Sequence, residues 1–538
     1  MELLCMPYLL DPGPDRVHVV WHTESPGPVQ VVLVGPNVSG LSEAAALAAA
    51  TGPEATGPGW RRVTAVTTAL SRMREDSGSR VPGRHYHKVR RRLVYRHLAT
   101  VTDLPPGRTP YRVVAAGRVG RATVTAAFRL APVAGPDQPV RLLLTSDHQL
   151  KQMVPANLEK VAQTVGVELD GVLMAGDMVN VPDRASEWFD SGTGRAFFAA
   201  FGGRAGHRLA GRLYRGAPIL QHTPIYPTPG NHDVMGRWSD TTTLDEQFND
   251  PAPDDWDVTT YSELFPLPAS PEGGPRWWSR TIGDVWVASV FATLVWRPNG
   301  GYGGEGRYRE PADRLATPER WGHGQFLFEP VRRGSAQFAW LERELGSAPA
   351  RAARYRVVMF HHPAHGLGTH SVPAYTDPVR TVVRDPVTGA VTEVRYDYPL
   401  EADHILRDLA PLFDTAGVHL VLNGHSHIWN RFRTPAGVNW LETSNVGNSY
   451  GAYDVTSGRL RDAPDGYPLQ GDPGGLAPVV PTVAPLTDAS GRPLPYVASN
   501  DVTAFSILDS AAGVVRSYRF DTREPNSAVV LFDEFPLA

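Results

Sequence analysis

Five short apolar runs in this chain each lead into a cluster of polar, metal-ligating residues, and no other feature constrains the fold as much. The runs and the clusters that follow them are 142–144 with 146–149, 172–174 with 176–177, 225–226 with 229–233, 357–360 with 361–363, and 420–422 with 423–427. A short apolar run is typical of a buried strand, and ligands collect at the carboxyl ends of parallel strands. We therefore expect the five clusters to converge on one site.

Length and composition narrow the class of protein. At 538 residues the chain is too long for one ordinary core, which predicts two or more domains or one elaborated domain. Cys5 is the single cysteine, so an intrachain disulfide and a site built from several thiolates are both excluded. A formal net charge of -4 offers no basic field for a nucleic-acid backbone, which argues against a nucleic-acid partner.

The sequence gives no sign of a membrane partner or of export. No run approaches the roughly 18 apolar residues that a membrane helix needs. The first residues lack a basic segment and reach Pro7 and Asp11 too soon for a signal peptide, which predicts a cytoplasmic protein. A wrongly assigned start would hide such a peptide, and secretion stays open in that case.

The residue pattern divides the chain into two parts. Residues 1–133 carry short alternating or β-branched runs separated by proline and glycine turns, which predicts an all-β sandwich. From residue 140 onward strand patterns alternate with helical ones. A helix is expected near 155–164, and Ser335 is an N-cap candidate for a helix that leads into the fourth run. This alternation predicts an α/β layered core over residues 140–538.

Three later segments have their own expected roles. Residues 455–497 are long and rich in proline and glycine, which is typical of a functional cover or of a poorly ordered loop. The strand patterns over 500–538 are expected to complete a sheet of the core. The glycine-rich stretch 299–306 lacks the Gly-Lys-Ser/Thr ending of a phosphate-binding loop, so we interpret it as a mobile rim.

The donors in the five clusters suit a centre that holds two metal ions. A carboxylate is needed to bridge the ions, and neutral nitrogen and oxygen donors complete each set of ligands. Asp177 is the natural bridge. Two ions about 3.5–4 Å apart lower the pKa of a bound water and withdraw charge from a phosphoryl group, while a nearby imidazole can protonate the leaving alkoxide. We therefore expect a two-metal-activated hydroxide to hydrolyse a small-molecule phosphomonoester or phosphodiester.

The order of these motifs resembles that of the calcineurin-like metallophosphoesterases, over roughly residues 140–450. That family's blocks are Asp-x-His, Gly-Asp, Gly-Asn-His-Asp or -Glu, His, and Gly-His-x-His. The resemblance implies an α/β (α+β) four-layer metallophosphoesterase sandwich core, preceded here by the all-β sandwich domain. It also implies two divalent metal ions, which would be Mn, Fe, Zn or Mg.

The resemblance assigns a role to each matching residue. The first metal would be held by Asp147, Gln149 and His427, the second by Asn231, His361 and His425, and Asp177 would bridge them. His232 would be the general acid that serves the leaving group, and Asp233 would orient His232.

One position departs from the family's pattern. Gln149 stands where the family usually has the first-metal His, and its neutral carbonyl oxygen favours harder ions. The adjacent His148 is the alternative ligand. Because alternation along an extended chain points His148 elsewhere, Gln149 is the ligand that we expect.

The N-terminal part is similar to the fibronectin-like domain that precedes the core in purple acid phosphatases, through residues 6–12, 19–23 and 104–111. Those enzymes carry a metal-bound Tyr three residues after the bridging Asp, whereas this chain has Asn180. Without that phenolate we expect neither a purple charge-transfer colour nor a special preference for ferric iron.

Two other functions stay open. A non-catalytic binding module on the same fold is favoured only by Gln149, since His232 and nearly all ligands are present. A nuclease of the same superfamily is disfavoured by the acidic balance. Substrate specificity is expected to lie in the loops at 183–222, 234–275, 297–330, 364–400 and 455–497, whose residue patterns name no substrate.

Overall fold

Two large β-sheets form the core of the protein, as a computed structural model shows. The structure describes residues 2–117, 122–249, 256–268, 270–296, 308–321 and 326–537. An α/β core with β-sandwich packing at its N-terminal end is the predicted fold class, and it is confirmed.

The strands and helices have the following bounds. The N-terminal strands are β1 (Tyr8–Leu10), β2 (Val17–Thr23), β3 (Val29–Val34), β4 (Thr56–Gly57), β5 (Trp60–Thr64), β6 (Val66–Ala69), β7 (Arg74–Glu75), β8 (Arg90–Arg91), β9 (Tyr95–Val101), β10 (Thr109–Ala116), β11 (Thr123–Val124) and β12 (Phe128–Leu130). Then come β13 (Arg141–Thr145), β14 (Gly171–Met174), β15 (His207–Leu209), β16 (Arg212–Tyr214), β17 (Pro224–Pro227), β18 (Trp278–Ile282), β19 (Val285–Ser289), β20 (Thr293–Trp296), β21 (Phe326–Phe328), β22 (Tyr355–Met359), β23 (Val379–Arg384) and β24 (Val391–Asp397). The last strands are β25 (Leu420–Asn423), β26 (Trp429–Arg433), β27 (Asn439–Thr443), β28 (Tyr496–Val497), β29 (Val502–Asp509), β30 (Val514–Asp521) and β31 (Val530–Pro536). The α-helices are α1 (Glu43–Thr51), α2 (Val154–Val165), α3 (Ala185–Trp188), α4 (Phe197–Phe201), α5 (Leu244–Phe248), α6 (Thr259–Leu264), α7 (Ala336–Leu345), α8 (Ala348–Ala352) and α9 (Ala410–Ala416).

The first core sheet has the strand order β31-β30-β29-β13-β14-β17-β1-β2-β9-β6. Its centre is parallel, with Leu143 opposite Val172 and Val172 opposite Ile225. These central strands are short and apolar because parallel strands of this kind are covered on both faces. On one side β29 pairs antiparallel with β13, so the C-terminal strands extend the core sheet. On the other side β1 pairs parallel with β17, so the N-terminal strands continue the same sheet.

The second core sheet has the order β18-β19-β22-β25-β27-β26-β28. Strands β19, β22, β25 and β27 pair parallel with one another, in that order. The two sheets share one buried apolar cluster, to which β13 contributes Leu142 and Leu144 and β22 contributes Val357 and Met359. The strands that carry the five clusters are therefore β13, β14 and β17 in one sheet and β22 and β25 in the other.

The helices between these strands form where their sequences predict. Helix α2 has proline in its first turn, buries Leu158 and Val161, and stops at Gly166, whose φ of 82° suits glycine. Ser335 caps α7, and its hydroxyl accepts a hydrogen bond from the Phe338 amide at 3.1 Å. The segment before β25 forms a π-helical turn, Ile405–Leu409, that continues into α9 and buries Ile405, Leu409 and Phe413.

The N-terminal region is a sandwich that shares a sheet with the core. Strands β1, β2 and β9 pack against β3 and β10 around a separate apolar cluster that includes Val19, Trp21, Val32 and Tyr111. The other face of β1 and β2 contributes to the main core, for example through Tyr8. The division into two domains near residues 133–140 stays a prediction, since β1 and β17 join the parts by backbone pairing.

Ion pairs also hold the N-terminal region against a loop of the core. Arg72 contacts Asp183 at 2.9 Å, and Arg92 contacts Asp190 at 2.6 Å. Arg184 in turn contacts Asp76 at 3.0 Å. The loop that follows β14 is therefore braced from the N-terminal side, close to the end of the sheet where the clusters lie.

The long segment 455–497 ends in β28 and otherwise runs as turns and loops. Asp472 accepts from His365 Nδ1 at 2.8 Å, and the Val479 amide donates to the Arg431 carbonyl at 2.8 Å. These contacts favour the interpretation of the segment as a cover over that of a poorly ordered loop. The stretch 299–306, which we interpret as a mobile rim, lies outside the described residues. In the described part of the chain, no helix is both long enough and apolar enough to cross a membrane.

Candidate metal centre

The five clusters meet at the carboxyl ends of β13, β14, β17, β22 and β25. Five of their donor residues are non-glycine residues with positive φ, which is 55° at Asp147, 40° at Gln149, 55° at Asp177, 86° at His425 and 59° at His427. Such conformations cost free energy and persist where the surrounding structure fixes them, which is common at functional sites. The backbone itself therefore marks this edge of the sheets as a site.

Glycines in the motifs let the loops approach each other closely. A Cβ atom at Gly230 would collide with the Asp177 carboxylate, and one at Gly424 would collide with the Asp147 carboxylate. Gly176 has a φ of 89° and lies against the ring of His361. The glycine in each motif is therefore required by the packing of the loops that carry the donors.

Asp177, His361 and His425 form the densest group of donors, with their ligand atoms within 4.8 Å of one another. His361 Nε2 lies 3.3 Å from Asp177 Oδ2 and 3.1 Å from His425 Nδ1. His361 Nδ1 faces the Ala175 carbonyl at 2.8 Å, so Nδ1 carries the hydrogen and Nε2 faces the group. All three side chains are buried.

Asn231 lies next to this group. Its Nδ2 donates to the Trp296 carbonyl at 3.1 Å. Because the amide nitrogen is used in this way, the amide oxygen is the atom that Asn231 would offer to a cation. Trp296 also packs edge-on against the His425 ring, with ring centroids 4.5 Å apart.

Asp147 and His427 form a second, looser group. His427 Nε2 lies 3.5 Å from Asp147 Oδ1, and His427 Nδ1 faces the Asn448 carbonyl at 3.0 Å. Asp147 Oδ2 accepts from the His425 amide at 2.9 Å, which links the two groups. Among the described residues, Asp147 Oδ1 has no hydrogen-bond partner although it is buried.

Gln149 lies at the site and His148 does not. Gln149 Nε2 donates to Asp177 Oδ2 at 2.8 Å. His148 instead stacks on Phe201 with ring centroids 5.0 Å apart, and its Nε2 lies 3.0 Å from the Thr145 hydroxyl. This arrangement favours Gln149 over His148 as the first-metal ligand. Coordination by the Gln149 oxygen stays a prediction, because in this arrangement the amide nitrogen faces Asp177.

His232 is held by Asn180, whereas its sequence position suggests Asp233 as the partner. His232 Nδ1 faces the Asn180 carbonyl at 2.7 Å, and the His232 amide donates to Asp177 Oδ1 at 2.8 Å. The Asp233 carboxylate accepts from the backbone amides of Asp177 and Gly230, each at 2.8 Å. Asp233 thus ties two motif loops together. The His232 ring faces the Asn180 carbonyl, and the role of Asp233 in orienting that ring stays a prediction.

The side chain of Asn180 contacts the backbone of the Gln149 loop. Its Nδ2 donates to the Gln149 carbonyl at 3.0 Å. Asn180 therefore connects the loop of Gln149 to His232, and it offers no phenolate at the position where purple acid phosphatases carry one.

Close charges shift several pKa values at the site. Burial alone would raise the pKa of Asp177, but His361 and His232 reverse this effect and hold it below its usual range. Burial would lower the pKa of His361, but Asp177 and Asp147 raise it to about 9. Burial and the Asp177 charge raise the pKa of Asp233 to about 7. Burial also lowers the pKa of His425 well below its usual range.

Two residues of the site carry little signal in the sequence. Lys151 is 5% exposed, and its Nζ has no hydrogen-bond partner among the described residues. Burial lowers its pKa to about 8, against the attraction of Asp147 and Asp177. Glu442 accepts from the Ser426 amide at 2.7 Å and so fixes the last motif loop. Lys151 is one of three lysines in an arginine-rich chain, which is the one sequence signal that singles it out.

The donors fit a divalent metal centre. They are carboxylate oxygens, amide oxygens and imidazole nitrogens, without a thiolate, which is the set that Mn, Fe, Zn or Mg accept. Asp147 Oδ1 is buried without a hydrogen-bond partner in the described part of the chain, and a bound cation would supply the missing partner. The fold and the site therefore define an α/β protein with the donor set of a metallohydrolase.

Comparison with known families identifies the class more closely. The family model for calcineurin-like phosphoesterases matches residues 140–429, which is more than half of the 538 residues. The chain belongs to this family. Members of the family bind divalent metals and act on phosphoesters, and the matched residues contain all five motif clusters.

Known structures agree with this fold. The purple acid phosphatase PPD1 from seeds of yellow lupin (Lupinus luteus) superposes with a TM-score of 0.54 and 14% sequence identity, covering 98% of this chain and 73% of that chain. PhoD superposes with a TM-score of 0.47 and 12% identity, covering 99% of this chain and 89% of that chain, and adds nothing further. At these identities the likeness concerns the fold alone. No curated protein sequence matches the chain.

Proposed function

We propose that this protein is a metal-dependent phosphoesterase that hydrolyses small-molecule phosphomonoesters or phosphodiesters with two divalent ions. The observation that carries the proposal is the group formed by Asp177, His361 and His425, whose ligand atoms lie within 4.8 Å of one another in a buried pocket. A carboxylate oxygen and two imidazole nitrogens that converge in this way are donors that a divalent cation accepts. Membership of the phosphoesterase family supports the same conclusion.

The ligand sets follow from the contacts of each side chain. Asp177, Asn231, His361 and His425 would hold one ion, which we call the second-metal half of the site. Asp147, Gln149 and His427, with Asp177 as the shared carboxylate, would hold the other, which we call the first-metal half. The carbonyls of Ala175 and Asn448 support this assignment, since they hold the Nδ1 atoms of His361 and His427 and leave each Nε2 for a metal.

The residues around the ions supply orientation and a proton. Two bound divalent ions lower the pKa of a water molecule and withdraw charge from phosphoryl oxygens. His232 Nδ1 faces the Asn180 carbonyl, so Nε2 is the nitrogen that would carry a proton to the leaving oxygen. Asp233 would act through the backbone, by holding the amides of Asp177 and Gly230.

The proposal is tested by phosphate release after the metals have been removed and restored. The protein is treated with a chelator and reconstituted with Mn, Fe, Zn or Mg, then assayed on para-nitrophenyl phosphate, its bis ester and a nucleotide panel. We expect turnover that depends on added metal. Asp177→Asn, which removes the shared carboxylate charge at almost constant volume, should reduce turnover to that of the blank. A metal-loaded wild-type protein that is inert on every ester would contradict the proposal.

A non-catalytic binding protein is the second candidate, and Gln149 is the observation in its favour. The Gln149 amide nitrogen donates a hydrogen bond to the Asp177 carboxylate, and this contact does not require a metal ion. Elemental analysis after reconstitution separates the two candidates. Stoichiometric bound metal supports the phosphoesterase, and no bound metal supports the binding protein.

A further inference from the structure

A recess of about 520 Å³ lies beside the metal centre. It is lined by residues of five separated parts of the chain, among them Arg80, Lys151, Arg184, Arg195 and Asn500. Arg80 comes from the N-terminal region, so the recess is completed by the sandwich side of the molecule. We call this cavity the basic recess.

The basic recess borders the residues that position the metal ligands and His232. Gln149, Asn180 and Asn448 all line it. Gln149 contacts Asp177 at 2.8 Å, Asn180 holds His232 Nδ1 at 2.7 Å, and Asn448 holds His427 Nδ1 at 3.0 Å. The recess therefore adjoins the metal centre through these three residues.

The charges of the lining are unbalanced. Glu187 is the carboxylate among the lining residues, and Arg184 already contacts it at 3.0 Å. Arg184 also contacts Asp76, so its charge is used within the protein. The lining thus contains further cations for which the wall itself provides no carboxylate.

Three cations of the lining lack a carboxylate partner in ion-pair contact among the described residues: Arg80, Lys151 and Arg195. Arg195 donates its Nε to the Leu150 carbonyl at 2.7 Å and contacts only the neutral ring of His207 beyond that. Lys151 is 5% exposed, and its buried Nζ has no hydrogen-bond partner in the described chain. Burying an ammonium group without a hydrogen-bond partner costs free energy, which an anionic ligand would recover.

We propose that the basic recess binds a second anionic group, a carboxylate or a phosphate, on the same substrate molecule whose phosphoester lies at the metals. This inference rests on the proposed function and names the class of its substrate: organic phosphates that carry a second anionic group. Guanidinium groups bind carboxylate and phosphate oxygens in paired hydrogen bonds, which gives selectivity as well as affinity. Neutral phosphoesters of the same shape would lose these contacts.

A matched pair of aryl phosphates tests the proposal. 3-Carboxyphenyl phosphate and 3-carbamoylphenyl phosphate have nearly the same shape, but only the first carries the extra negative charge. The carbamoyl group withdraws electrons more strongly, so leaving-group chemistry alone would favour the carbamoyl ester. We expect kcat/KM for the carboxyl ester to be higher by about tenfold or more, with a preference that shrinks as salt is added.

Variants of the lining locate the preference. Arg195→Gln and Arg80→Gln should each reduce the ratio of the two kcat/KM values toward one, and Arg195→Lys, which keeps the charge, should retain part of it. Arg208→Gln is the control, because Arg208 is an exposed arginine outside the lining, and its side chain donates to the Gly211 carbonyl. A ratio near one in the wild-type protein, or a ratio that Arg195→Gln and Arg80→Gln leave unchanged, would overturn the proposal.

Binding is measured separately from turnover. Calorimetric titration of both esters into metal-loaded His232→Ala should show tighter binding of the carboxyl ester, and Arg195→Gln added to this variant should remove the difference. If the wild-type protein hydrolyses no ester, the proposed function fails, while the calorimetric difference still decides whether the recess binds an anion. Equal affinities of the two esters would overturn the recess proposal even if hydrolysis is observed.

Discussion

The two halves of the candidate metal centre differ in how completely the side chains are arranged for a cation. In the second-metal half, Asp177, His361 and His425 present their donor atoms within 4.8 Å of one another. The Ala175 carbonyl fixes the ring of His361. This half needs only small adjustments of its side chains to bind an ion.

The first-metal half is looser. His427 Nε2 and Asp147 Oδ1 are 3.5 Å apart, and the Gln149 amide presents its nitrogen to Asp177. Gln149 must turn its amide over before the oxygen can serve as a ligand. Lys151 adds a buried positive charge close to Asp147 and Asp177, which opposes a second cation. We infer that the protein binds its two ions with unequal affinity, and the predictions below test this difference.

The largest effect is expected from removing a ligand of the well-arranged half. Losing a residue that merely supports a metal ligand typically lowers metal affinity by roughly 10–100-fold. His361→Ala removes a ligand itself, so the affinity of the second-metal half should fall by more than that. Gln149→Ala should have a much smaller effect on total bound metal. Equilibrium dialysis followed by elemental analysis measures both. His148→Ala is the control, because His148 packs against Phe201 and should leave the metal content unchanged.

The opposite order of metal loss in these two variants would contradict the inferred difference between the two halves. If Gln149→Ala removes more metal than His361→Ala, the first-metal half is the tighter one. The contacts of His361 with Asp177 would then describe a hydrogen-bonded pair and not a prepared metal site.

A smaller effect, confined to chemistry, is expected from His232→Ala. General acid catalysis contributes typically about 10²–10⁴-fold, so kcat should fall within that range. The loss should be greater for an alkyl phosphate than for para-nitrophenyl phosphate, because an alkoxide needs a proton to leave and a nitrophenolate hardly does. Metal content should stay that of the wild-type protein, which distinguishes this change from the loss of a ligand. Equal losses on both esters would argue against a proton donor at this position.

Restoring the family's usual histidine ligand at position 149 should make the metal affinities of the two halves more similar. Gln149→His replaces a neutral oxygen donor with an imidazole nitrogen, which Zn and similar ions prefer. We expect the weaker of the two dissociation constants for Zn to fall, by about tenfold as an order of magnitude. Gln149→Asn, which keeps an amide but shortens it, should not reproduce this gain. An unchanged dissociation constant in Gln149→His would mean that Lys151, and not Gln149, limits the first-metal half.

The sequence predicts the strands, their order along the chain and the convergence of the clusters, because each rests on local patterns. Apolar runs followed by glycine-containing polar motifs mark β14, β17 and β25, and Ser335 marks the start of α7. The continuation of the core sheet through β1 could not be predicted. It depends on a pairing between residues more than 200 positions apart, and a three-residue strand carries no signal for its partner.

Contacts made by backbone carbonyls could not be predicted from the sequence either. Asn180 holds His232 through its carbonyl oxygen, which every residue type possesses. The identity of its side chain therefore carries no information about this contact. Asp233 is the partner of His232 that the sequence favours, because the two residues are adjacent. Arg80 likewise lines the basic recess only because the N-terminal region packs beside the metal centre.

The smallest effect expected is the absence of a signal. Iron-loaded protein should show no intense visible absorption band, because Asn180 offers no phenolate and its Nδ2 is bound to the Gln149 carbonyl at 3.0 Å. The measurement is a visible spectrum of protein reconstituted with iron to a known stoichiometry, with Asn180→Tyr as the variant that restores the phenol. A strong band in the wild-type protein would require a tyrosinate from another part of the chain at the metals. The comparison of the two halves would then be incomplete, since a further ligand would have to be added to one of them.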